Sequence, residues 1–364
     1  MDRYDIAIIG AGIAGASLAA AIAPHASVLL IEAEDSPGYH STGRSAAFWS
    51  ESYGGTGIQP LTTASGPALH DGGFLKPLGA LHIGRAGDEA AIHAFLAAFE
   101  GTGIALAAVD PAVLIPGLRP DWTLGVLEAS CEYIDVAALH ANYLSHANRT
   151  GAVLALSAPL RSAARVANGW QIEAGALAVT ATILVNAAGA WVDRVAAIAG
   201  VAPIGIRAYR RTVAQLRVDV QLPEGMPMVV DIAGRFYFKP EGAGRLWLSP
   251  HDETPVEPGD VAPEELDVAI AIDRLEQVVD WRIAALEHKW AGLRSFAPDR
   301  LPVYGFDPVV PGFFWCAGQG GFGIQTAPAA AALAAALLLE RKPDPMVAAI
   351  DPAMYAPGRF RPLA

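Results

Sequence analysis

Apolar positions are distributed along the chain in three ways, and each predicts a different kind of element. At the start, Ile6 to Ile9 is an unbroken apolar run, a stretch of small residues of helix length follows Gly15, Pro24 closes it, and Ser27 to Ile31 is a second apolar run. Unbroken runs suit strands covered on both faces, so the pattern predicts a β-α-β unit in a parallel sheet. Thr182 to Val185 is a further buried strand and ends in the small residues Asn186 to Gly189. The strand-glycine-helix order returns near the other end, where Phe313 to Ala317 leads into a glycine loop and the Ala/Leu run Ala327 to Leu339.

Elsewhere the pattern alternates. Thr212 to Val218, Arg235 to Lys239, Arg245 to Ser249 and Trp290 to Phe296 alternate as half-covered antiparallel strands do. Val153 to Leu156, Ser162 to Val166 and Gln171 to Glu173 also predict strands, with a turn at Asn168-Gly169. Helical spacing covers Asp88 to Glu100, Val136 to Asn148 with a stop at Gly151, and Leu266 to Leu286. Ser36 to Phe48 is polar and punctuated by glycine, hence a loop, and the small, polar stretch from there to Gly73 carries no clear period. Together these predict an α/β fold with an α+β second part. A Rossmann-like, discontinuous domain takes 1–75, 140–203 and 297–364, and a second, antiparallel-sheet domain takes 76–139 and 204–296.

With 364 residues the chain can bury a core of that size. A net charge of −12 disfavours nucleic acid as a partner, because phosphate backbones are bound by clustered Lys and Arg. The acidic, proline-containing stretch Asp252 to Asp267 lacks the spacing of a calcium loop and predicts a solvated surface loop; no metal site is expected. Cys131 and Cys316 lie far apart, which suits a reducing, cytoplasmic location. No signal sequence is evident ahead of the first strand, and Ala327 to Leu339 is too short to span a bilayer.

The chemistry begins at Gly10-Ala11-Gly12-Ile13-Ala14-Gly15. Between a strand and a helix this is a dinucleotide fingerprint: Gly10 makes the turn, Gly12 admits a pyrophosphate, Gly15 lets the helix lie on the sheet, and Glu32 meets a ribose hydroxyl. The fingerprint alone admits NAD or FAD.

GAGIAGAS (Gly10 to Ser17), PGYHSTGRSAA (Pro37 to Ala47), VNAAGAW (Val185 to Trp191), FYFKP (Phe236 to Pro240), WAGLRSF (Trp290 to Phe296) and GQGGFGIQT (Gly318 to Thr326) stand in one order along nearly the whole chain. In them the chain resembles the D-amino-acid oxidase superfamily of FAD-dependent oxidoreductases, and within it the D-arginine dehydrogenase subgroup. The resemblance implies FAD, held without a covalent bond. Gly10, Gly12, Ile13, Ala14, Gly15, Glu32 and Ala33 would hold its adenosine and pyrophosphate, with Leu160 at the adenine. His40, Ser41, Thr42, Arg44, Ser45 and Ala46 would follow the cofactor towards its flavin, and Ala187, Gly189 and Trp191 would approach it from the neighbouring strand. Gly318, Gly320, Gly321, Phe322, Gly323, Ile324 and Gln325 would run along the pyrimidine edge. Cys316, in an apolar strand, is expected to be a buried structural thiol.

The resemblance further implies that Arg211, Arg294, Tyr53 and Tyr237 hold a substrate carboxylate and that the Gly321 carbonyl meets the amine. Neighbours on a strand face opposite ways, so Arg210 competes with Arg211, while Arg294 and Tyr237 also admit structural roles. Two departures bear on the substrate. Phe48 replaces the subgroup's histidine, and Ala80 stands where the subgroup has an acid for the substrate guanidinium. An apolar side-chain pocket of Phe48, Ala80 and Leu81 is therefore expected, favouring neutral or hydrophobic D-amino acids over D-arginine and D-lysine. The implied reaction is oxidative deamination by hydride transfer, with a quinone, another carrier or O2 as final acceptor. A flavin-dependent 2-hydroxy-acid dehydrogenase and a flavin-stabilised assembly protein without turnover are the alternatives.

Overall fold

The computed structural model describes residues 2–242 and 244–360. Its first layer is an eight-stranded sheet whose parallel centre runs, in spatial order, Val153–Ala155, Val28–Ile31, Asp2–Ile9 and Leu177–Asn186. Along Asp2–Ile9 the side chains divide by parity. Ile6 and Ile8 face the helices Ile13–Ile22 and Ala327–Leu338, whereas Ala7 and Ile9 face the opposite core with Trp170 and Trp315. Both faces are covered, which is why the sequence shows runs there and no alternation. The far half of Leu177–Asn186 pairs in parallel with Phe313–Ala317, and the near half carries the antiparallel strands Gly169–Ala174 and Leu160–Val166. Both glycine turns therefore end at one sheet edge, the switch point at which such folds bind ligands.

The second layer is a ten-stranded sheet, antiparallel except where Met228–Asp231 runs parallel to Ala80–Arg85. One face packs under the helix Glu265–Glu276 through Leu81, Ala214, Phe238, Leu248, Ala271 and Leu275. The other face turns towards the first layer. Gln319–Gly320, from the second glycine loop, adds to this sheet beside Ser295 and Phe296 and stitches the layers together. A small sheet of Phe48–Trp49, Glu132–Ile134 and Leu75–Pro77 closes the side.

Three local expectations change. The helix expected to run to Leu286 ends at Glu276, and Ile283–Phe296 is one long strand. Its first half pairs with Arg207–Val218 but is exposed at most positions, so no apolar alternation marks it. The small, polar stretch before Gly73 contains the helix Gln59–Asp71, whose apolar stripe is hidden because Thr62, Ser65 and Gly66 fill buried positions against the last helix. The acidic stretch after Asp252 is a strap tied down by ion pairs: Asp252 and Asp267 are largely covered, and Asp260 holds Arg44 at 2.5 Å.

Candidate active site

A cleft of about 440 Å³ runs between the layers, from Glu32, Pro159 and Leu160 at one end to Arg211, Tyr237 and Arg294 at the other. That volume is within the usual range for cofactor and ligand sites.

At the first end the fingerprint behaves as its spacing requires. Gly10 has φ +101°, and a Cβ there would meet the Ala187 carbonyl oxygen at 2.6 Å. A Cβ on Gly15 would lie 1.9 Å from the Gly10 oxygen, so Gly15 serves helix-sheet contact and does not line the cleft. Gly12 at the N-cap offers the Ile13–Ile22 helix no side chain, Thr42 takes only its first amide, and Gly12, Ile13 and Ala14 bring the amide end to the cleft. An amide end at the cleft with no acid in its first turn fits a phosphate group. The Glu32 carboxylate accepts from Ala11 N–H at 2.8 Å and Glu34 N–H at 3.1 Å, which fixes it at the cleft wall.

Ala33, His40, Ser41, Thr42, Arg44, Ser45, Ala46, Leu160, Ala187, Gly189 and Trp191 also line the cleft. Thr42 Oγ1 accepts from Ile13 N–H at 3.0 Å, while Ser41 Oγ donates to the Leu293 carbonyl at 2.7 Å. Arg44 reaches the Val261 and Ala291 carbonyls, so this loop is bound to both layers. His40 packs against Trp191 with tilted rings whose centroids are 4.5 Å apart, and contacts Glu34 at 2.8 Å.

His140 is a further residue of this end that no motif or spacing marks. It is buried on the Val136–Arg149 helix, and its Nε2 lies 2.8 Å from the Ala11 carbonyl oxygen, bracing the fingerprint turn. The imidazole stands among apolar helix positions, and no spacing distinguishes it from a core residue.

At the second end sheet parity assembles the polar groups. Arg211 pairs across the ladder with Gly292, and Arg294 lies two residues further on, so both side chains leave the cleft face as diagonal neighbours. Tyr237 joins them by the same count, through Ser249 on the strand between. Arg210 faces the helix side instead, where it pairs with Glu264 and, at 2.8 Å, with Asp267. The choice between the two arginines thus falls to Arg211.

Arg211 is 4% exposed. Its Nε donates to the Asp252 carbonyl at 2.8 Å and its Nη2 to Glu253 at 3.2 Å, while Nη1 is buried with no partner. Burial, together with the nearby Arg294 cation, lowers its pKa to about 10. The Tyr53 hydroxyl is likewise buried and unpaired, and the Tyr237 hydroxyl has no well-formed hydrogen bond, with Ser249 beside it. A Cβ on Gly321 would lie 2.7 Å from the Tyr53 hydroxyl and 3.0 Å from Arg294 Cζ. Unsatisfied buried donors are rare, and here they gather beside two guanidinium groups. The arrangement suits an anion with two oxygens, such as a carboxylate.

Gly320, Gly321, Gly323 and Ile324 line the cleft. The other residues expected along this loop do not. Gly318 shapes a turn at φ +70°, and Phe322 packs with Ile58 and Phe296 against Tyr53. Gln325 is buried behind the loop, donating to the Tyr53 carbonyl at 3.1 Å and to Thr62 at 2.9 Å. Phe48 touches the Tyr53 and Tyr237 rings, and Ala80 packs with Leu78, Met228 and Cys131 in the same apolar cluster. Leu81 points to the other face and belongs to the core under the helix, because it neighbours Ala80 on one strand. Cys316 is buried, and burial raises its thiol to about 12.

Among the described residues no helix is long and apolar enough to cross a membrane, and no group of His, Cys, Asp and Glu could hold a metal. The chain is 31% identical over 181 residues to FAD-dependent oxidoreductase domain-containing protein 1 of Bos taurus, a match covering 44% of this chain and 36% of that protein. The match thus spans about a third of the relative's length. The fold is similar to L-proline dehydrogenase from P. horikoshii, with TM-score 0.85 and 20% identity over 99% of this chain and 98% of that one. It is also similar to glycine oxidase from Geobacillus kaustophilus, with TM-score 0.81 and 21% identity over 94% and 96%. The model of the DAO family, FAD dependent oxidoreductase, matches residues 5–337, and the chain belongs to this family of FAD-dependent enzymes.

Proposed function

We propose that the enzyme oxidises a neutral or hydrophobic D-amino acid to its imino acid. The observation that carries this reading is that Arg211 Nη1 is buried and unpaired beside Arg294 at the inner end of the cleft, with the unpaired Tyr53 hydroxyl against Arg294 and Gly321 just behind that lining. A substrate carboxylate between Arg211 and Arg294 would satisfy them, with the Tyr237 hydroxyl as a further donor. The Gly321 carbonyl, on the same loop, would accept from the amine. Anchored at both groups, the substrate presents one face of Cα to the cofactor cleft, which is how orientation contributes to rate.

The isoalloxazine of bound FAD supplies the two-electron acceptor. The Cα–H bond breaks with its electron pair leaving as hydride, the nitrogen lone pair forms the C=N bond, and water hydrolyses the imino acid to a 2-oxo acid and ammonia. Among the described residues no carboxylate or imidazole lines the Arg211–Arg294 end of the cleft, so the substrate reacts with its amine already deprotonated or gives the proton to water. The side chain would face the cluster of Phe48, Ala80, Leu78 and Met228. The acid beside Ala80 in the ladder, Glu128, is turned to Ser50, Glu51 and Ser52 by three hydrogen bonds and does not line the cleft, so it is not placed to pair a substrate guanidinium.

Anaerobic mixing with D-amino acids, L-amino acids and 2-hydroxy acids, followed by flavin absorbance, tests the proposal. Neutral D-amino acids should bleach the flavin with the highest efficiency. Bleaching by 2-hydroxy acids or L-amino acids in their place, or fastest by D-arginine, would overturn it.

A further inference from the structure

Glu128 has no part in the chemistry above, yet it is among the most thoroughly buried charged groups, at 0% exposure. It ends the strand Trp122–Glu128 and pairs with Ala80, so its side chain leaves the cleft face of the large sheet directly beneath the loop that carries Tyr53. Ser50 Oγ donates to it at 2.9 Å, Ser52 Oγ at 2.5 Å and the Glu51 N–H at 2.7 Å. Three successive residues are thus tied to one carboxylate. From the opposite side Gln325 accepts from Ser50 N–H at 3.3 Å and donates to the Tyr53 carbonyl at 3.1 Å. The segment 50–53 is gripped between a strand of one layer and the glycine loop of the other, with Phe48 just before it.

A relay of protons is the competing role, since Ser52 Oγ is 3.4 Å from His82 Nε2. It does not hold, because neither Glu128, Ser52 nor His82 lines the cleft, and burial lowers the His82 pKa to about 4, keeping that ring neutral. A purely structural role would not require the donors to come from consecutive residues leading to Tyr53.

We propose that Glu128 is a positioning residue that fixes the Tyr53 hydroxyl against Arg294 and Gly321 and so sets the affinity for the substrate carboxylate. The proposal rests on Tyr53 being a carboxylate ligand. The test uses the holoenzyme with Glu128→Gln, Tyr53→Phe and the double variant, titrated with benzoate as an amine-free carboxylate and followed by the flavin spectrum. Glu128→Gln keeps an acceptor but not a charge for the two hydroxyls, so benzoate Kd should rise about tenfold while FAD content and the limiting rate of anaerobic reduction change less than about twofold. Tyr53→Phe should raise Kd by a similar factor, and the double variant no further, because one residue acts through the other. If Tyr53→Phe weakens benzoate and Glu128→Gln does not, or if the two effects add, Glu128 does not act through Tyr53. If Tyr53→Phe leaves Kd unchanged, the carboxylate clamp itself is wrong and the proposal falls with it. Should Glu128→Gln fail to fold, Ser52→Ala removes the shortest tie and carries the same expectations.

Discussion

Arg211 and Arg210 are adjacent in sequence and opposite in consequence, which makes them a sharp test. In Arg211→Gln the guanidinium is lost from a site where two of its three nitrogens are already engaged, by the Asp252 carbonyl and Glu253, leaving Nη1 for a ligand. One charge-assisted hydrogen bond to a desolvated carboxylate contributes about 1.5–3 kcal/mol. Arg294 remains to hold part of the charge, so the expected loss is about 2–3 kcal/mol, roughly 30- to 150-fold in kcat/KM for the preferred amino acid. Arg211→Lys keeps the charge but not the fork that grips Asp252 and Glu253, and should fall in between. Arg210→Gln removes partners from Glu264 and Asp267 on the helix face, so it should lower Tm and leave kcat/KM within about twofold. Stopped-flow anaerobic reduction gives the rates and thermal unfolding the stabilities. Equal activity losses for the two glutamine variants, or the larger loss at Arg210, would refute the parity argument and with it the location of the carboxylate.

Four further outcomes follow from the same geometry. Glu32→Ala frees the Ala11 and Glu34 N–H groups and should weaken FAD retention by about tenfold, measured by dialysis and refilling. Gly15→Ala places a methyl 1.9 Å from the Gly10 oxygen, and the holoenzyme should lose several kcal/mol of stability or fail to fold, read by Tm and soluble yield. With no base beside the amine, kcat/KM for an amino acid should rise between about pH 6 and 9, whereas benzoate affinity stays level, because Arg211 keeps its charge until pH nears its pKa of about 10 and loses it above; a flat amino-acid profile would contradict this. Phe48→Ala opens the wall shared with Tyr53 and Tyr237 and should shift the preference in a D-amino-acid panel towards bulkier side chains, and an unchanged ranking would exclude Phe48 from the side-chain pocket.

What could be seen in the sequence was whatever depends on a local rule. Gly10, Gly12 and Gly15 are required by backbone approach wherever such a turn occurs, and the unbroken runs at Ile6 and Val28 follow from burial on both faces. Arg210 and Arg211 needed more: parity says that one of them faces the ligand, but which one depends on the register with Gly292, 81 residues away in the chain. Leu81 failed for the same reason, since Ala80 and Leu81 cannot both face the site. The helix Gln59–Asp71 and the first half of Ile283–Phe296 escaped because their buried or exposed positions carry residues of the opposite character. His140 and Glu128 were illegible, and Gln325 was expected along the cofactor edge, because each acts through a partner that folding brings from a distant segment.

The strand pairing of Gly320 with Ser295 has a stereochemical consequence. Under the proposed reading, the carboxylate anchor Arg294 and the amine acceptor Gly321 each follow directly from that ladder, so the distance between two of the substrate's recognised substituents is set by backbone hydrogen bonding and resists drift. The third substituent meets Phe48 on a separately tethered loop. Handedness is read from three points, and two of them are built into a sheet. A change of size preference can therefore arise in the loop alone, while an exchange of mirror-image preference would require the ladder itself to be rebuilt.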